Sequence, residues 1–401
     1  MKILLINHFP LQGSGSGIYT LNIALELVKA GHSVFVIDID NQKDRADYPF
    51  LRKTILCDEI KNIDPDLKFN FPCFTTHPRS TNTFYKLSET EIVEYIRIFR
   101  NVLDEVVAEF EPDIIHAQHL WIAPYVARLI GKPYVITVHG TDLMGFEKDK
   151  RYHKYVHIAA ENAGRIITIS RQVHNKTREL ININEDKLRL NPNGFDDGIF
   201  KVKEIDRSAL FSKFGIKGNR CKVVSFVGKF TDFKGIDVLI KAARIVTDEI
   251  ADVVFILAGD GELRSKMEDL RTELKLDNIY FVGQQNQVDV ASLYNIADVS
   301  VVPSRIEPFG LVAIEALACG TPVVATNAGG LPDFIDEKVG QLVEMEDHSA
   351  LAKAIIEELT AQSKSTKGKY AVKYANDNYS WKVTLAKVIE TYREILESYP
   401  V

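Results

Sequence analysis

Cysteine is scarce and scattered. Cys57, Cys73, Cys221 and Cys319 are the four in 401 residues, and no two form a C-x-x-C pair. That spacing supplies neither a zinc site nor a disulfide framework, and it fits a reducing compartment, the cytoplasm. Long apolar runs are missing as well. No apolar stretch reaches the roughly 18 residues that a spanning helix needs. The opening "MKILLIN" is too short for the apolar core of a signal peptide and reads as a first strand. An excess of positive charge is also absent. Lys and Arg number 49 against 55 Asp and Glu, a net charge of -6. No global basic field is left to attract nucleic acid, and contact with a membrane is at most peripheral.

What is present is ordinary globular material, 46% hydrophobic and 26% charged. A chain of this length makes two or three domains. Short β-branched runs alternate with helical patterns. "KILLIN", "SVFVID", "DIIHA", "YVITV" and "RIITIS" are the strands of the first half. "KVVSFVG", "DVVFILAG", "NIYFVG", "DVSVVP" and "PVVAT" are those of the second. They are apolar nearly throughout, as strands covered on both faces must be. Helical patterns fall between them, at Ile18–Ala30, Ile236–Glu249 and Leu263–Leu274.

The expected architecture is therefore α/β, with two doubly wound, Rossmann-like parallel-sheet domains. The first spans 1–195 and the second 196–380, with a polar linker from about Asn191 to Arg220. The amphipathic last helix, Trp381–Ser398 within 381–401, packs on one of them. Such sheets bind ligands beyond the carboxyl ends of their strands, so two domains facing each other would build one cleft.

Several stretches carry chemistry. In "SRIEPFGLVAIEALACG" a turn with Glu307 follows a strand, and Glu315 stands eight positions on, inside a helix. The helix start offers backbone N–H groups and a positive dipole to a phosphate. A carboxylate at Glu315 suits the vicinal diol of a ribose, and Glu307 suits sugar hydroxyls. The plain alternative is two acids complementing a helix dipole. In "VGKFTDFKGIDVLIKA" the loop after Gly228 brings Lys229 and Lys234 to a strand end, where two ammonium groups can neutralise a diphosphate.

"GSGSG", Gly13–Gly17, lets the backbone approach a ligand but lacks the G-x-G-x-x-G spacing. Asp38, about 20 residues on, and the pair Asp38 and Asp40 as a D-x-D metal motif are weaker readings than two solvated acids at a strand end. His139 falls where a strand meets a glycine turn and can bond a sugar or shuttle a proton. His116 and His119 lack a clear acidic third ligand and read as structural or site-lining. "FEKDKRYHKYVH", Phe146–His157, reads as a solvated helix face rather than an acceptor or membrane patch.

Assembled, these residues resemble family 4 of the retaining nucleotide-sugar glycosyltransferases, which have the GT-B fold. The likeness runs over nearly the whole chain. Its strongest part is E-x7-E in "PSRIEPFGLVAIEALACGTPVVATNAGGLPD", supported by "LAGDGELR", "NPNGFD" and Trp381 at the last helix. The resemblance implies a metal-independent hexosyl transfer, with a nucleotide diphospho-sugar, a UDP-sugar first, as donor. It implies that Glu315 holds ribose and that Lys229 and Lys234, with Gly228, hold the diphosphate. Glu307 and the backbone of Phe309, Gly310 and Leu311 would hold the sugar. Gly15, Ser16 and Gly17 would close over the diphosphate. His139, Lys234 and Glu307 would be the catalytic set, with no metal or other cofactor. The last helix would return to the first domain.

Two departures stand out: Lys229 where the family usually has Arg, and Asp333 where Glu is usual. "HGTD" resembles enzymes that glycosylate malate or inositol phosphate. The acceptor, whether glycan, lipid-linked or small molecule, is not legible between Asn41 and Ser88. A sugar-nucleotide 2-epimerase of the same fold and an inactive sugar-nucleotide-binding subunit are the alternatives.

Overall fold

A computed structural model describes residues 1–43, 46–58, 64–75, 77–216, 221–361 and 364–399. The chain divides into two compact units, Met1–Pro192 with Thr384–Val401, and Asn193–Val383.

The first unit holds seven parallel strands: β1 (Lys2–Ile6), β2 (Ser33–Asp40), β3 (Leu51–Leu56), β4 (Ile114–Gln118), β5 (Tyr134–Val138), β6 (Arg165–Thr168) and β7 (Leu188–Leu190). Their order is β3-β2-β1-β4-β5-β6-β7. The second unit holds six: β8 (Lys222–Val227), β9 (Val253–Ala258), β10 (Ile279–Gly283), β11 (Val299–Val302), β12 (Val323–Thr326) and β13 (Gly340–Val343). Their order, β10-β9-β8-β11-β12-β13, is the same pattern with six strands. All pairings are parallel. Each sheet reverses its winding once, between β1 and β4 and between β8 and β11, and such switch points are where doubly wound sheets take ligands.

The central strands β4, β5, β9, β11 and β12 are buried at every position, which is why they read as unbroken apolar runs. Three strands fall outside the ten runs read from the sequence. They are β3, β7 and β13, and each lies at a sheet edge. An edge strand is open on one side, so "LRKTIL" and "GQLV" mix exposed and buried positions.

Other expectations are corrected. The polar stretch from Asn191 is not all linker, because Asp206 caps a helix at Arg207–Lys213; its end at 217–220 lies outside the described residues. The helix expected from Ile18 begins at Gly15, with Ser14 as its N-cap. The Phe146–His157 stretch is not simply a solvated face, since Phe146, Tyr152, Tyr155 and Val156 are buried.

The last helix, Trp381–Ser398, belongs mainly to the first unit. There Tyr392 Oη lies 2.7 Å from His116 Nδ1, and Glu394 accepts from Arg165 at 3.2 Å and Arg189 at 2.8 Å. His116 also meets Thr137 Oγ1 of β5 at 2.7 Å, so one nitrogen faces the last helix and the other the neighbouring strand. No helix among the described residues is long and apolar enough to cross a membrane.

Candidate active site

In the second unit the site is built on the β8/β11 switch point. After β8, a short 3-10 turn, Asp232–Lys234, ends at Gly235, which is left-handed at φ 60°. A Cβ there would stand 2.0 Å from the Pro303 carbonyl oxygen, so only glycine lets the loop after β8 lie against the loop after β11. That closeness brings Lys234 Nζ to 2.6 Å from Glu307 Oε2. Ser304 Oγ donates to the same oxygen at 3.3 Å. Glu307 is 8% exposed. Its carbonyl accepts from Gly330 N at 2.9 Å, which fixes the Pro-Phe-Gly turn that follows.

Gly310 caps the helix Leu311–Ala318 in a left-handed conformation. The Phe309 ring is buried against Phe334 and Tyr379, at 5.6 and 6.1 Å between centroids, so only its backbone is left for a ligand. Glu315 is buried on the same short helix. Burial, and then the negative charge of Asp196, push its carboxyl up to about 8. It is therefore largely protonated at neutral pH in the unliganded chain. A neutral carboxyl still pairs with a diol, donating once and accepting once. Gly228 donates its N–H to Ala258 O at 3.0 Å, and Lys229 is exposed beyond it.

The first unit gathers histidines instead. His139 follows β5 and is 7% exposed. Its Nε2 lies 2.9 Å from Gln118 Oε1, an acceptor only, so the imidazole donates there and presents Nδ1 as its lone pair. Burial lowers its pKa to about 3, so it is neutral at physiological pH and is a hydrogen-bonding group rather than a proton carrier.

His119 stands 4.8 Å from His139 between ring centroids and takes φ 68°, a strained region for a residue with a Cβ. Beside it, Asp142 accepts from Leu120 N at 2.8 Å, tying the loop after β4 to the loop after β5. Burial raises the Asp142 carboxyl to about 6 against several backbone bonds. Sequence reasoning saw Asp142 only as part of "HGTD" and missed the tie, since no spacing rule links positions 120 and 142. His8 is structural: Nδ1 meets Tyr95 Oη at 2.9 Å, and Nε2 accepts from Ala123 N at 3.0 Å.

Gly15–Gly17 form the first turn of a helix, and Gly13 and Ser14 precede it. Ser14 Oγ accepts from Gly17 N at 3.0 Å, so that N–H is already used. A Cβ on Gly17 would meet Pro10 O at 2.1 Å, which gives this glycine a packing reason of its own. The N–H groups of Gly15 and Ser16 have no intrahelical acceptor by position.

Asp38 and Asp40 are not solvated acids. Both are buried. Asp38 holds Arg52 at 2.6 Å and Thr54 at 2.7 Å, and Asp40 holds Arg79 at 2.7 Å. Among the described residues no group of three or more His, Cys, Asp or Glu could hold a metal ion.

Known proteins extend this picture. The family described as Glycosyltransferase Family 4 matches residues 13–198, and Glycosyl transferases group 1 matches residues 206–375. N-acetyl-alpha-D-glucosaminyl L-malate synthase of Bacillus anthracis is 26% identical over 361 residues, 88% of this chain and 86% of that one. Sucrose-phosphate synthase from Thermosynechococcus elongatus superposes with a TM-score of 0.80 at 25% identity, over 100% of both chains. Anabaena HepE, solved in complex with UDP and glucose, superposes at 0.75 with 20% identity, over 98% of this chain and 99% of that one. The two family matches run in sequence over most of the chain, one for each parallel sheet, and with this topology the chain belongs to the family 4-like glycosyltransferases of GT-B fold.

Proposed function

We propose that this chain is a retaining hexosyltransferase that moves a hexosyl group from a nucleotide diphospho-sugar to an acceptor hydroxyl, with no metal ion. The observation that carries the reading is the Lys234–Glu307 pair across the β8/β11 switch point. An ammonium and a carboxylate held together there match the two halves of such a donor. Lys234, with Lys229 near the same strand end, would face the diphosphate. Glu307 and the backbone of Phe309, Gly310 and Leu311 would hold sugar hydroxyls, and Glu315 the ribose. Gly15 and Ser16 would add N–H donors to the phosphates, and His139 would bond the sugar near its reacting carbon.

In the reaction the bond from the anomeric carbon to the diphosphate oxygen breaks, and the acceptor oxygen bonds that carbon on the same face. The acceptor proton passes to the leaving diphosphate. Fixed ammonium groups stabilise the charge that builds on that leaving group, the part a divalent ion plays elsewhere. Uridine is the base to test first, as the HepE complex favours it. The acceptor class is open, and an anionic hydroxy acid is one option, by the name of the malate relative.

A thermal-shift panel of UDP-, GDP- and ADP-sugars, each with and without EDTA, tests the reading. One nucleotide sugar should raise the melting temperature selectively, and EDTA should leave both that shift and product formation unchanged. No shift from any donor, or activity that disappears with EDTA and returns with magnesium or manganese, sinks it. Release of free sugar and UDP without an acceptor points to the epimerase instead.

A further inference from the structure

Arg305 stands between the two residues that carry the proposed donor site, yet no ligand role falls to it. Its guanidinium reaches three separate segments. It donates to the Asp232 carbonyl at 2.7 Å, to Asp237 in the first turn of the helix Ile236–Glu249 at 3.0 Å, and to Glu346 at 3.0 Å. A further bond runs from its Nε to Glu346. Its backbone N–H, with that of Ile306, donates to the Phe233 carbonyl at 2.8 and 3.2 Å. Lys234 therefore has its neighbours pinned on both sides, at 232–233 and at 237, to the turn that carries Glu307.

Electrostatics agree with a holding role. Asp232 Oδ1 lies 3.5 Å from Arg305, and Asp237 and Glu346 are bonded to it, so three carboxylates neutralise one guanidinium. Lys241 also faces Asp237, at 3.6 Å. The bond and charge of Arg305 hold the Asp237 carboxyl below its ordinary value although burial alone would raise it. The Arg305 bond likewise lowers the Glu346 carboxyl. Glu346 occupies the left-handed region at φ 64°, a cost that its bonds to Arg305 offset. The planar fork donates four bonds here, one more than the three N–H groups of a lysine can supply.

We infer that Arg305 is a positioning residue that fixes the Lys234 ammonium against Glu307 for the donor diphosphate. The inference rests on the reading of Lys234 given above. It concerns geometry, so the effect of losing Arg305 passes through Lys234.

The test is a double-mutant cycle read by calorimetry with UDP, GDP and ADP as probes, using Arg305→Met, Lys234→Ala and the double variant. Arg305→Met should weaken the best-bound nucleotide by about 10-fold, and Lys234→Ala by at least as much. The double variant should bind no more weakly than Lys234→Ala alone, since one geometry cannot be lost twice. Arg305→Lys should restore only part of the loss. Factors that multiply, or wild-type binding in Arg305→Met, overturn the inference. Should Arg305→Met fail to fold, Asp237→Ala with Glu346→Ala removes two of the three anchors.

Wild-type binding in Lys234→Ala defeats the diphosphate reading instead. A crystal structure of the Arg305 variant then decides the inference alone. Lys234 Nζ and Glu307 Oε2 should part beyond hydrogen-bond reach, and a separation still at 2.6 Å overturns it.

Discussion

The two sheets share one strand order and one switch point, yet their strand ends hold opposite chemistry. In the first unit the loops after β1, β4 and β5 carry His8, His119 and His139, all buried and all driven towards the neutral form by desolvation. In the second, the loops after β8 and β11 carry Lys234 and Glu307 as an ion pair, with Arg305 among three carboxylates. The backbone topology thus places a site and leaves its character to a few loop residues. The histidine cluster is polar and neutral, although Asp40 and Arg79 pair at the end of β2. The pair at the ends of β8 and β11 is charged.

Acid should separate the two ends most strongly. His8, His116 and His139 have pKa values near 3 when folded, against an ordinary 6.5. Between those values the unfolded chain binds protons that the folded chain refuses, so stability falls as pH drops from 6.5 towards 3. At pH 5 each costs about 2 kcal/mol, and three together approach the whole stability of a domain. Hydrogen exchange read by peptide mass spectrometry follows each unit separately. Amides of the first sheet should lose protection at a higher pH than those of the second, and coincident transitions would break the comparison.

Next in size is the lysine. Lys234→Ala should lower kcat by about 10²–10³-fold, with a smaller loss of donor affinity, because charge grows on the diphosphate as the bond breaks. Steady-state kinetics with the donor identified by the thermal-shift panel would decide this. A change in KM alone would make Lys234 a uniform binding residue and shift the leaving-group role to Lys229.

Glu315 gives the smallest effect and sharpens the contrast, since its pH dependence runs the other way. Its carboxyl rises from 4.5 to about 8. Over that window the folded chain keeps a proton that the unfolded chain has released, so stability falls as pH rises. Glu315→Gln should therefore stabilise the unliganded protein by about 2–3 kcal/mol at pH 6.5 and by nearly nothing below pH 4.5. Denaturant titrations at the two pH values measure it. Glu315→Ala should weaken nucleotide binding by about 1.5–3 kcal/mol. Unchanged affinity in a folded variant removes Glu315 from the ribose site.

Much of this was legible in the order of residues. Among the described residues, ten of the thirteen strands announce themselves as apolar runs, and the three that do not are edge strands whose exposed side admits Arg, Lys and Gln. Lys234 and Glu307 were visible because each sits beside a glycine or proline turn after a strand, and Glu315 as the second acid of E-x7-E. Asp38 and Asp40 were misjudged as solvated, because Arg52 and Arg79, their partners, lie 14 and 39 positions away.

The sequence by itself determined the parallel-sheet class, the twofold repetition of the winding and the residue types at the strand ends. Periodicity and turn chemistry are local, and they act within a few residues of where they are written. The tertiary structure alone decided which charges met. Lys234 and Glu307 are 73 positions apart, and Arg305 gathers Asp232, Asp237 and Glu346 from as far as 73 positions on one side and 41 on the other. Burial and pairing set the protonation of Glu315 and His139, and both depend on neighbours that arrive only when the sheet and its helices pack.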